Sequence, residues 1–157
     1  MELRSPAFER DGAFPVKYTR DGDNASPPLS WADVPEQTQE LALIFENVTP
    51  HTQKPYAQWL LYGMAPQTRE LPEGLLHRRQ PEMAGEPVHG KNDNGNVGYD
   101  GPLGVQNKRI HFVFRLYALD KSLDVKEGLT ADALREAMQD HVIEEAELGT
   151  VYERPKY

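Results

Sequence analysis

Two stretches of the chain carry apolar side chains at consecutive positions rather than at alternate ones. Residues 41–45 are LALIF, and residues 57–64 are AQWLLYGM. Continuous apolar runs of this length are typical of strands that are covered on both faces. We therefore predict buried strands over residues 40–46 and 57–64.

A third apolar stretch, residues 110–119, divides into two sets of side chains, because successive side chains of a strand point to opposite faces. One face then consists of Ile110, Phe112, Phe114, Leu116 and Ala118, and the other of His111, Val113, Arg115, Tyr117 and Leu119. We expect the first face to lie in the core. The second face is more polar and should lie nearer to solvent or to a helix.

A glycine-rich loop, residues 90–102, precedes this third strand. Its dipeptides 94–95 (NG) and 100–101 (DG) are tight-turn signals. We expect Asn92 and Asp93 to fix the loop through bonds to the backbone rather than to contact a ligand. A long loop that leads into a buried strand is a common frame for a binding pocket.

The first forty residues alternate short apolar runs with turn signals. They predict short strands or extended segments near residues 2–8 and 15–19, with Leu29 and Trp31 inserted into the core. Residues 75–91 contain prolines and mixed charge, so we expect an exposed excursion there.

The last quarter of the chain changes to a helical period. Thr130 is a suitable N-cap, and Leu134 and Met138 are spaced for one face of a helix. A second short helix is predicted over residues 140–147 and should end at Gly149. Its glutamates are expected to face solvent.

Composition narrows the class of protein. The 157 residues fit a single domain, residues 1–157. Glycine and proline make up 12 + 13 = 25 residues, about 16% against an average near 12%, which favours a turn-rich β protein over a helical bundle. Cysteine is absent, so disulfides and thiol chemistry are excluded.

The charge and hydropathy of the chain limit its partners. A formal net charge of −8 argues against nucleic acid and anionic membrane surfaces. No segment approaches the roughly 18 apolar residues of a membrane span. The N-terminus also lacks the apolar centre of a signal peptide. We therefore expect a cytoplasmic protein that is not integral to a membrane.

Catalytic and metal-binding signatures are missing from the sequence. There is no G-x-S-x-G, H-E-x-x-H or G-x-x-x-x-G-K-[ST] pattern. A calcium loop that begins at Asp21 would need a ligand at Ala25 and a glycine at Ser26, so a solvated acidic turn is the better interpretation. His77 and His89 are expected to be surface residues. We therefore expect no enzyme activity, no cofactor and no metal.

Several motifs along the chain resemble one family. They are residues 26–31 (SPPLSW), 41–44 (LALI), 59–62 (WLLY), 90–102 (GKNDNGNVGYDGP), 116–120 (LYALD) and 137–142 (AMQDHV), with Gly149-Thr150 and Tyr152. Together they resemble the phosphatidylethanolamine-binding protein family, most closely its bacterial Raf-kinase-inhibitor-like branch, over about residues 2–153. The resemblance implies a mainly β fold, a Greek-key antiparallel β-sandwich with a few peripheral helices.

The resemblance also implies an anion-binding pocket for phosphate or phosphorylated head groups. The family builds it from an Asp-Pro-Asp-x-Pro loop, a His-Trp pair on the next strand, the Gly-Pro of the long loop and a His-Arg-Tyr at the start of the following strand. The corresponding ligand-binding candidates in this chain are Asn47, His51, Gln58, Gly101, Pro102, Ile110 and Phe112.

Most of these positions depart from the family pattern. Asn47 replaces the aspartate, His51 the closing proline, Gln58 a histidine, and Ile110 and Phe112 the histidine and tyrosine of the last triplet. An aspartate beside histidines raises their pKa and holds them protonated as anion donors. The replacements therefore predict a neutral, half-apolar pocket. Phosphate should bind weakly, because charge-assisted hydrogen bonds are about twice as strong as neutral ones.

Two functions from different classes remain open. The leading hypothesis is a non-enzymatic binding protein with a degenerate or re-specified pocket for a small anion or phospholipid head group. The alternative, implied by the resemblance, is a protein-interaction module that inhibits a kinase or protease, and a charge of −8 would suit a basic partner. A hydrolytic enzyme has the weakest support, since no nucleophile–base pair is visible. The resemblance is also compatible with a homodimer.

Overall fold

The computed structural model describes residues 1–49 and 54–154, which form two antiparallel sheets and one α-helix. In chain order the elements are β1 (Glu2–Arg4), a one-turn 3-10 helix (Val16–Tyr18), β2 (Leu29–Ala32), β3 (Glu40–Asn47), β4 (Tyr56–Met64), β5 (Glu70–Leu71), β6 (Val88–His89), β7 (Ile110–Leu119), α1 (Ala131–Met138) and β8 (Val142–Tyr152).

The two sheets pack face to face as a sandwich. The smaller sheet has the strand order β1-β2-β5 and the larger the order β6-β4-β3-β7-β8. After β4 the chain crosses to the other side of β3 to form β7, which is the non-sequential neighbour order of a Greek key. The predicted mainly β sandwich is confirmed.

Both faces of β3 are covered, as its continuous apolar run predicts. Leu41, Leu43 and Phe45 point into the core between the sheets. Ala42 and Ile44 point to the other face, where α1 covers them. This arrangement makes β3 the most enclosed strand of the molecule and places its two ends at the margins of the core.

Strand β7 also has the two faces that its alternation predicts. Phe114 lies in the core and stacks on Phe45 with ring centroids 3.9 Å apart. On the opposite face Tyr117 and Leu119 pack against Leu134 of α1. The more polar face of β7 is therefore the helix-covered one.

The predicted helix α1 is confirmed together with its cap. Thr130 Oγ1 accepts a hydrogen bond from the Ala133 amide at 3.2 Å. Leu134 and Met138, one turn apart, are both buried. The cap satisfies an amide at the helix start, and the buried pair holds the helix on the sheet.

The predicted helix over residues 140–147 is wrong, because this segment belongs to strand β8. Its residues pair with β7 from Val142 to Tyr152. The buried positions alternate, as Ala146, Leu148, Thr150 and Tyr152, which is the period of a strand. Gly149 lies within β8 instead of ending a helix, and a Cβ there would lie 2.4 Å from Asp11 Oδ1.

Two further local predictions need correction. Residues 15–19 form a 3-10 turn rather than a strand, with the Thr19 amide bonded to the Val16 carbonyl at 2.9 Å. The excursion over residues 75–91 is only partly exposed. It contains β6, which pairs with β4, and its His89 is 1% exposed instead of lying on the surface.

Candidate functional site

Strand pairing brings the predicted pocket residues to one end of the larger sheet. Asn47, the last residue of β3, pairs with Tyr56 of β4 on one side and with Phe112 of β7 on the other. Gln58 lies two positions after Tyr56 on β4. His51 lies outside the described residues.

The side chain of Asn47 is committed to its own loop. Its Oδ1 accepts hydrogen bonds from the Thr49 amide at 2.9 Å and the Thr49 hydroxyl at 2.6 Å. Thr49 Oγ1 in turn accepts from the His111 amide at 3.3 Å. Asn47 therefore closes an Asx-type turn and joins it to β7.

Gln58 ties β4 to the long loop. Its Nε2 donates to the carbonyl oxygens of Asp100 at 2.7 Å and Gly101 at 3.1 Å. The Asp100 amide returns a bond to the Gln58 carbonyl at 3.1 Å. The side chain is buried, and the β3–β4 register shifts beside it, between Phe45 and Glu46. Both amide hydrogens of Gln58 are thus used within the protein.

Gly101 and Pro102 dock onto the N-terminal segment. The Gly101 amide donates to Asn24 Oδ1 at 2.6 Å, and the Pro102 carbonyl accepts from the Arg20 amide at 2.9 Å. A Cβ on Gly101 would lie 2.1 Å from the Tyr18 carbonyl oxygen, so this close approach requires glycine.

Asp100 is the centre of an asparagine cluster that fixes the loop. Its carboxylate accepts from the side chains of Asn92 at 2.9 Å, Asn96 at 2.7 Å and Asn24 at 3.3 Å. Burial by itself raises the pKa of Asp100, but these hydrogen bonds outweigh it and lower the pKa. Asn92 also accepts from the amides of residues 94 and 96. The predicted structural role of Asn92 is confirmed.

Asp21 fixes the far side of the same loop. Its Oδ2 accepts from the Tyr152 hydroxyl at 2.6 Å and the Gly104 amide at 3.1 Å, and its Oδ1 pairs with Arg154 at 3.1 Å. The prediction of a solvated acidic turn is therefore wrong for Asp21, whose side chain is largely buried. Sequence reasoning missed this role because the partners lie more than eighty residues away.

The β7 side of the predicted pocket belongs to the apolar core. Ile110 and Phe112 are both buried. The Phe112 ring packs against Phe45 with centroids 5.6 Å apart. Neither side chain offers a hydrogen bond to a ligand, as their replacement of histidine and tyrosine implies.

An open cavity of about 520 Å³ lies beside these residues. It is lined by Asn47, Thr49 and Ile110 and by four residues of the loop that leads into β7, namely Val105, Asn107, Lys108 and Arg109. Arg109 is paired with Glu153 at 2.8 Å. Within residues 1–49 and 54–154, no hydrogen bond or ion pair engages the Lys108 ammonium.

The basic residues of this cavity were not among the predicted site residues. Lys108 and Arg109 are adjacent in sequence and stand immediately before β7. The resemblance places the start of β7 at a ligand pocket. A pair of basic residues directly before it was therefore the sequence signal for this cavity. Lys108 is thus a basic side chain of this cavity without a partner among the described residues, whereas Arg109 is paired.

The buried histidine near this region is neutral. Trp59 Nε1 donates to His89 Nδ1 at 3.0 Å, so Nε2 carries the proton and donates to the Leu76 carbonyl at 2.8 Å. Burial lowers the pKa of His89 to about 4, because the charged form would lose its hydration. His89 therefore acts as a fixed neutral bridge between β4 and the excursion.

On the helix-covered face, a buried ion cluster lies near the same end of β3. Glu46 Oε1 pairs with Arg115 Nε at 2.8 Å, and Glu46 Oε2 pairs with Arg135 of α1 at 2.7 Å. Arg115 also pairs with Glu145 and Glu147 of β8. The cluster holds the helix and the edge strand against β3.

Two structural features are absent from the described residues, 1–49 and 54–154. They contain no group of three or more His, Cys, Asp or Glu side chains that could hold a metal ion. None of their helices is long and apolar enough to cross a membrane.

The fold is an antiparallel β-sandwich of two sheets, with one helix over a face of the larger sheet. The family model for phosphatidylethanolamine-binding proteins matches residues 4–153, and the chain belongs to this family. The Raf-kinase-inhibitor-like branch stays a prediction.

Two relatives, one archaeal and one bacterial, match along nearly their whole length. A UPF0098 protein of Methanothermobacter thermautotrophicus is 39% identical over 155 residues, which cover 98% of this chain and 99% of the relative. A UPF0098 protein of Chlamydia pneumoniae is 38% identical over 160 residues, with coverage of 98% and 99%.

Two solved structures show the same fold. A phosphatidylethanolamine-binding protein homolog of Chlamydia trachomatis superposes with a TM-score of 0.85 at 35% identity, covering 98% of this chain and 97% of that one. Escherichia coli YbcL superposes with a TM-score of 0.88 at 22% identity, with 98% of both chains covered.

Proposed function

We propose that this chain is a non-enzymatic binding protein in which the family's ligand site is re-specified. One observation carries the proposal: the polar groups left at the family position are used internally. Asn47 bonds Thr49, and Gln58 bonds two loop carbonyls. A ligand would instead enter the adjacent cavity, where Lys108 offers a charged donor.

The chemistry of this cavity suits a small anion held weakly. Arg109 is already paired with Glu153, so Lys108 is the principal positive group for a ligand. A net charge of −8 opposes the approach of further negative charge. Inorganic phosphate and phosphorylated head groups are therefore expected to bind in the millimolar range.

The histidine geometry supports a function without catalysis. His89 is locked as a neutral bridge between Trp59 and Leu76. His141 pairs with Asp120 at 2.9 Å on the surface. Among the described residues, no Ser or Thr hydroxyl is hydrogen-bonded to either imidazole, as an activated nucleophile would be.

Calorimetric titration with inorganic phosphate and phosphoethanolamine tests the proposal. We expect weak binding by the wild type, lost in Lys108→Gln, because that change removes the charged donor at an exposed position. Lys121→Gln is the matched control, since it changes the net charge equally on a distant exposed loop. Gln58→Ala would affect stability more than binding.

The opposite pattern would place the ligand at the family position. Tight, saturable phosphate binding that survives Lys108→Gln and disappears in folded Gln58→Ala would contradict the re-specified cavity. Turnover of a generic ester panel by the wild type would contradict the absence of catalysis.

A protein-interaction module remains a second candidate, because two large apolar side chains are exposed near the cavity. Leu103 and Val105 are 47% and 46% exposed on the loop between Pro102 and β7. If the module inhibits a kinase or protease, a stoichiometric partner should be recovered from the native lysate at moderate salt. The partner should be lost when Leu103 and Val105 are both replaced by serine.

A further inference from the structure

A second cavity, of about 180 Å³, lies at the opposite end of β3 from Asn47. Its polar lining consists of Glu40, Arg79, Glu86, Ser122 and Asp124. Glu40 has the same strand parity as Ala42 and Ile44, so it lies on the helix-covered face of the sheet. This cavity is therefore separate from the proposed anion site, because it lies at the other end of β3 and on the other face of the sheet.

Glu40 is the unusual group of this cavity. The residue is 5% exposed. Its Oε1 accepts from the Leu123 amide at 3.1 Å, and the Gly63 amide also favours the charged carboxylate and opposes a rise in its pKa, but Oε2 is buried and makes no hydrogen bond of good geometry with the described residues. Buried polar side-chain atoms nearly always have a partner, so this oxygen has acceptor capacity left for a further donor.

The charges around Glu40 favour a cation. Among the described residues, Glu40, Glu86 and Asp124 contribute three carboxyl groups to the lining of this cavity, and Arg79 contributes its one basic side chain. In the described part of the chain, no ion pair joins Arg79 to any of the three. A concave site lined mostly by one sign of charge concentrates counter-ions of the opposite sign.

Size and wall chemistry narrow the cation to an organic one. The described residues do not assemble the three ligating side chains of a metal site. Tyr62, Val88 and Val125 line the remaining wall, and the Tyr62 hydroxyl is already occupied by the Lys126 carbonyl and the Leu129 amide. A volume of about 180 Å³ gives room for a charged group and a short alkyl chain.

We propose that this cavity binds a small primary alkylammonium group, with Glu40 Oε2 as the buried acceptor. The ammonium donates one hydrogen bond to Oε2 and directs its other donors to the mouth of the cavity, near Glu86 and Asp124. The alkyl chain contacts Val88, Val125 and the Tyr62 ring. Arg79 at the rim opposes the ligand by charge.

Amide NMR of the 157-residue chain, titrated with propylammonium chloride, tests this assignment. Sodium chloride matches the ionic strength, and propan-1-ol matches the alkyl chain without the charge. The Leu123 amide is the reporter, because it is bonded to the other oxygen of the same carboxyl group. We expect a saturable shift with a millimolar dissociation constant, as is usual for so small a ligand.

Two variants should change the affinity for propylammonium in opposite directions. Glu40→Gln keeps the shape of the side chain but removes the charge, so the saturable shift should disappear. Arg79→Gln removes the rim cation at an exposed position and should tighten binding about threefold or more. Glu36→Gln, an exposed change of equal charge near the same strand, should bind as the wild type does.

Several outcomes would overturn the proposal. A shift that persists in Glu40→Gln, an equal response to propan-1-ol, or the absence of saturation in the wild type would each contradict an ammonium site. If Glu40→Gln did not fold, unchanged or weaker binding in Arg79→Gln would do so alone. Because Lys108 lies at the other end of the sheet, Lys108→Gln should bind propylammonium normally, so failure of one site leaves the other testable.

Discussion

Two glutamates on the same face of β3 have opposite surroundings. Glu46, near the carboxyl end, is 1% exposed and has an arginine on each oxygen. Glu40, at the other end, is almost as buried, yet its Oε2 has no described partner and no arginine is paired with it. The negative charge of a buried glutamate is thus neutralised by arginines at one end of β3 and is not paired with an arginine at the other end.

The difference distinguishes a buried carboxylate that the protein itself neutralises from one that lacks a neutralising side chain. Burying a charge is costly unless the charge is paired, and partners supplied by the protein itself make a structural cluster. Arg115 and Arg135 do this for Glu46. For Glu40 the partner must come from the cavity, or the group must take up a proton.

Replacing Glu46 should have the largest effect on stability. Glu46→Gln leaves Arg115 and Arg135 without their shared counter-ion at a buried position. We expect a loss of about 3 kcal/mol in the free energy of unfolding, at the low end of the range for broken buried pairs because both arginines are partly exposed. Urea denaturation at neutral pH measures it.

Glu145→Gln is the matched control for this change. Glu145 pairs with the same Arg115, but on the exposed side of the cluster. Exposed pairs contribute about 0–1 kcal/mol, so this variant should be nearly as stable as the wild type. Equal losses in the two variants would show that burial of Glu46 is not what makes its pairing important.

Replacing Gln58 should have the next largest effect on stability. It tests the end of the larger sheet where the polar side chains are bonded within the protein. Gln58→Met keeps the volume but removes the donor shared by the Asp100 and Gly101 carbonyls. We expect a loss of about 2 kcal/mol, because the Asp100 carbonyl loses its donor, whereas the Gly101 carbonyl keeps the hydrogen bond from Arg20 Nε at 3.0 Å. Gln39→Met, at an exposed position just before β3, should change the stability by less than about 0.5 kcal/mol.

A different result for Gln58 would revise the view of that end. If Gln58→Met were as stable as the wild type while phosphate binding fell, the amide would be a ligand donor rather than a loop tie. Both measurements on one variant therefore separate the two roles.

The apolar part of the fold was predictable because it depends on local pattern. The runs at β3 and β4 and the alternation in β7 place three central strands and assign their faces correctly. Strand β8 was missed because Glu144, Glu145 and Glu147 resemble a solvated helix face. Arg115, which is remote in sequence, pairs with Glu145 and with Glu147, its neighbour in the β7–β8 register, and so makes these two glutamates compatible with a strand.

The candidate sites were predictable only where a family pattern marked the positions. The resemblance identified Asn47 and Gln58, but not that their polar groups are used internally, since those partners come from turns and loops. Glu40 and Glu46 look alike in sequence, as glutamates that flank an apolar run. Only the packing of α1 over one end gives Glu46 its Arg135.

The smallest stability effect should have the opposite sign. Glu40→Gln removes an unbalanced buried carboxyl group, so we expect a gain of about 1 kcal/mol or less at neutral pH, in contrast to the loss in Glu46→Gln. Burial raises the pKa of Glu40, although the amides of Leu123 and Gly63 oppose the shift. The gain should therefore depend on pH.

The sign follows from proton linkage. A glutamate with a raised pKa binds more protons in the folded state than in the unfolded state, where its pKa is about 4.3. The wild type should therefore lose stability relative to Glu40→Gln as the pH rises through and above that value, and the two proteins should converge in acid.

Only the difference between the two proteins isolates Glu40 from other groups that titrate in acid. His89 has the same effect in both proteins, and that effect is opposite in sign to the effect of Glu40. Its pKa of about 4 lies below the unfolded value near 6.5, so stability is lost as the pH falls between these values. Both proteins keep the other charged residues that line the cavity, Glu86, Asp124 and Arg79. Their contributions to the pH dependence therefore cancel to first order in the difference between the two proteins. Urea unfolding of each protein from pH 4 to pH 8 measures the difference. A gain that is independent of pH would contradict a titrating Glu40, and a loss would mean that its carboxylate already has a partner within the protein.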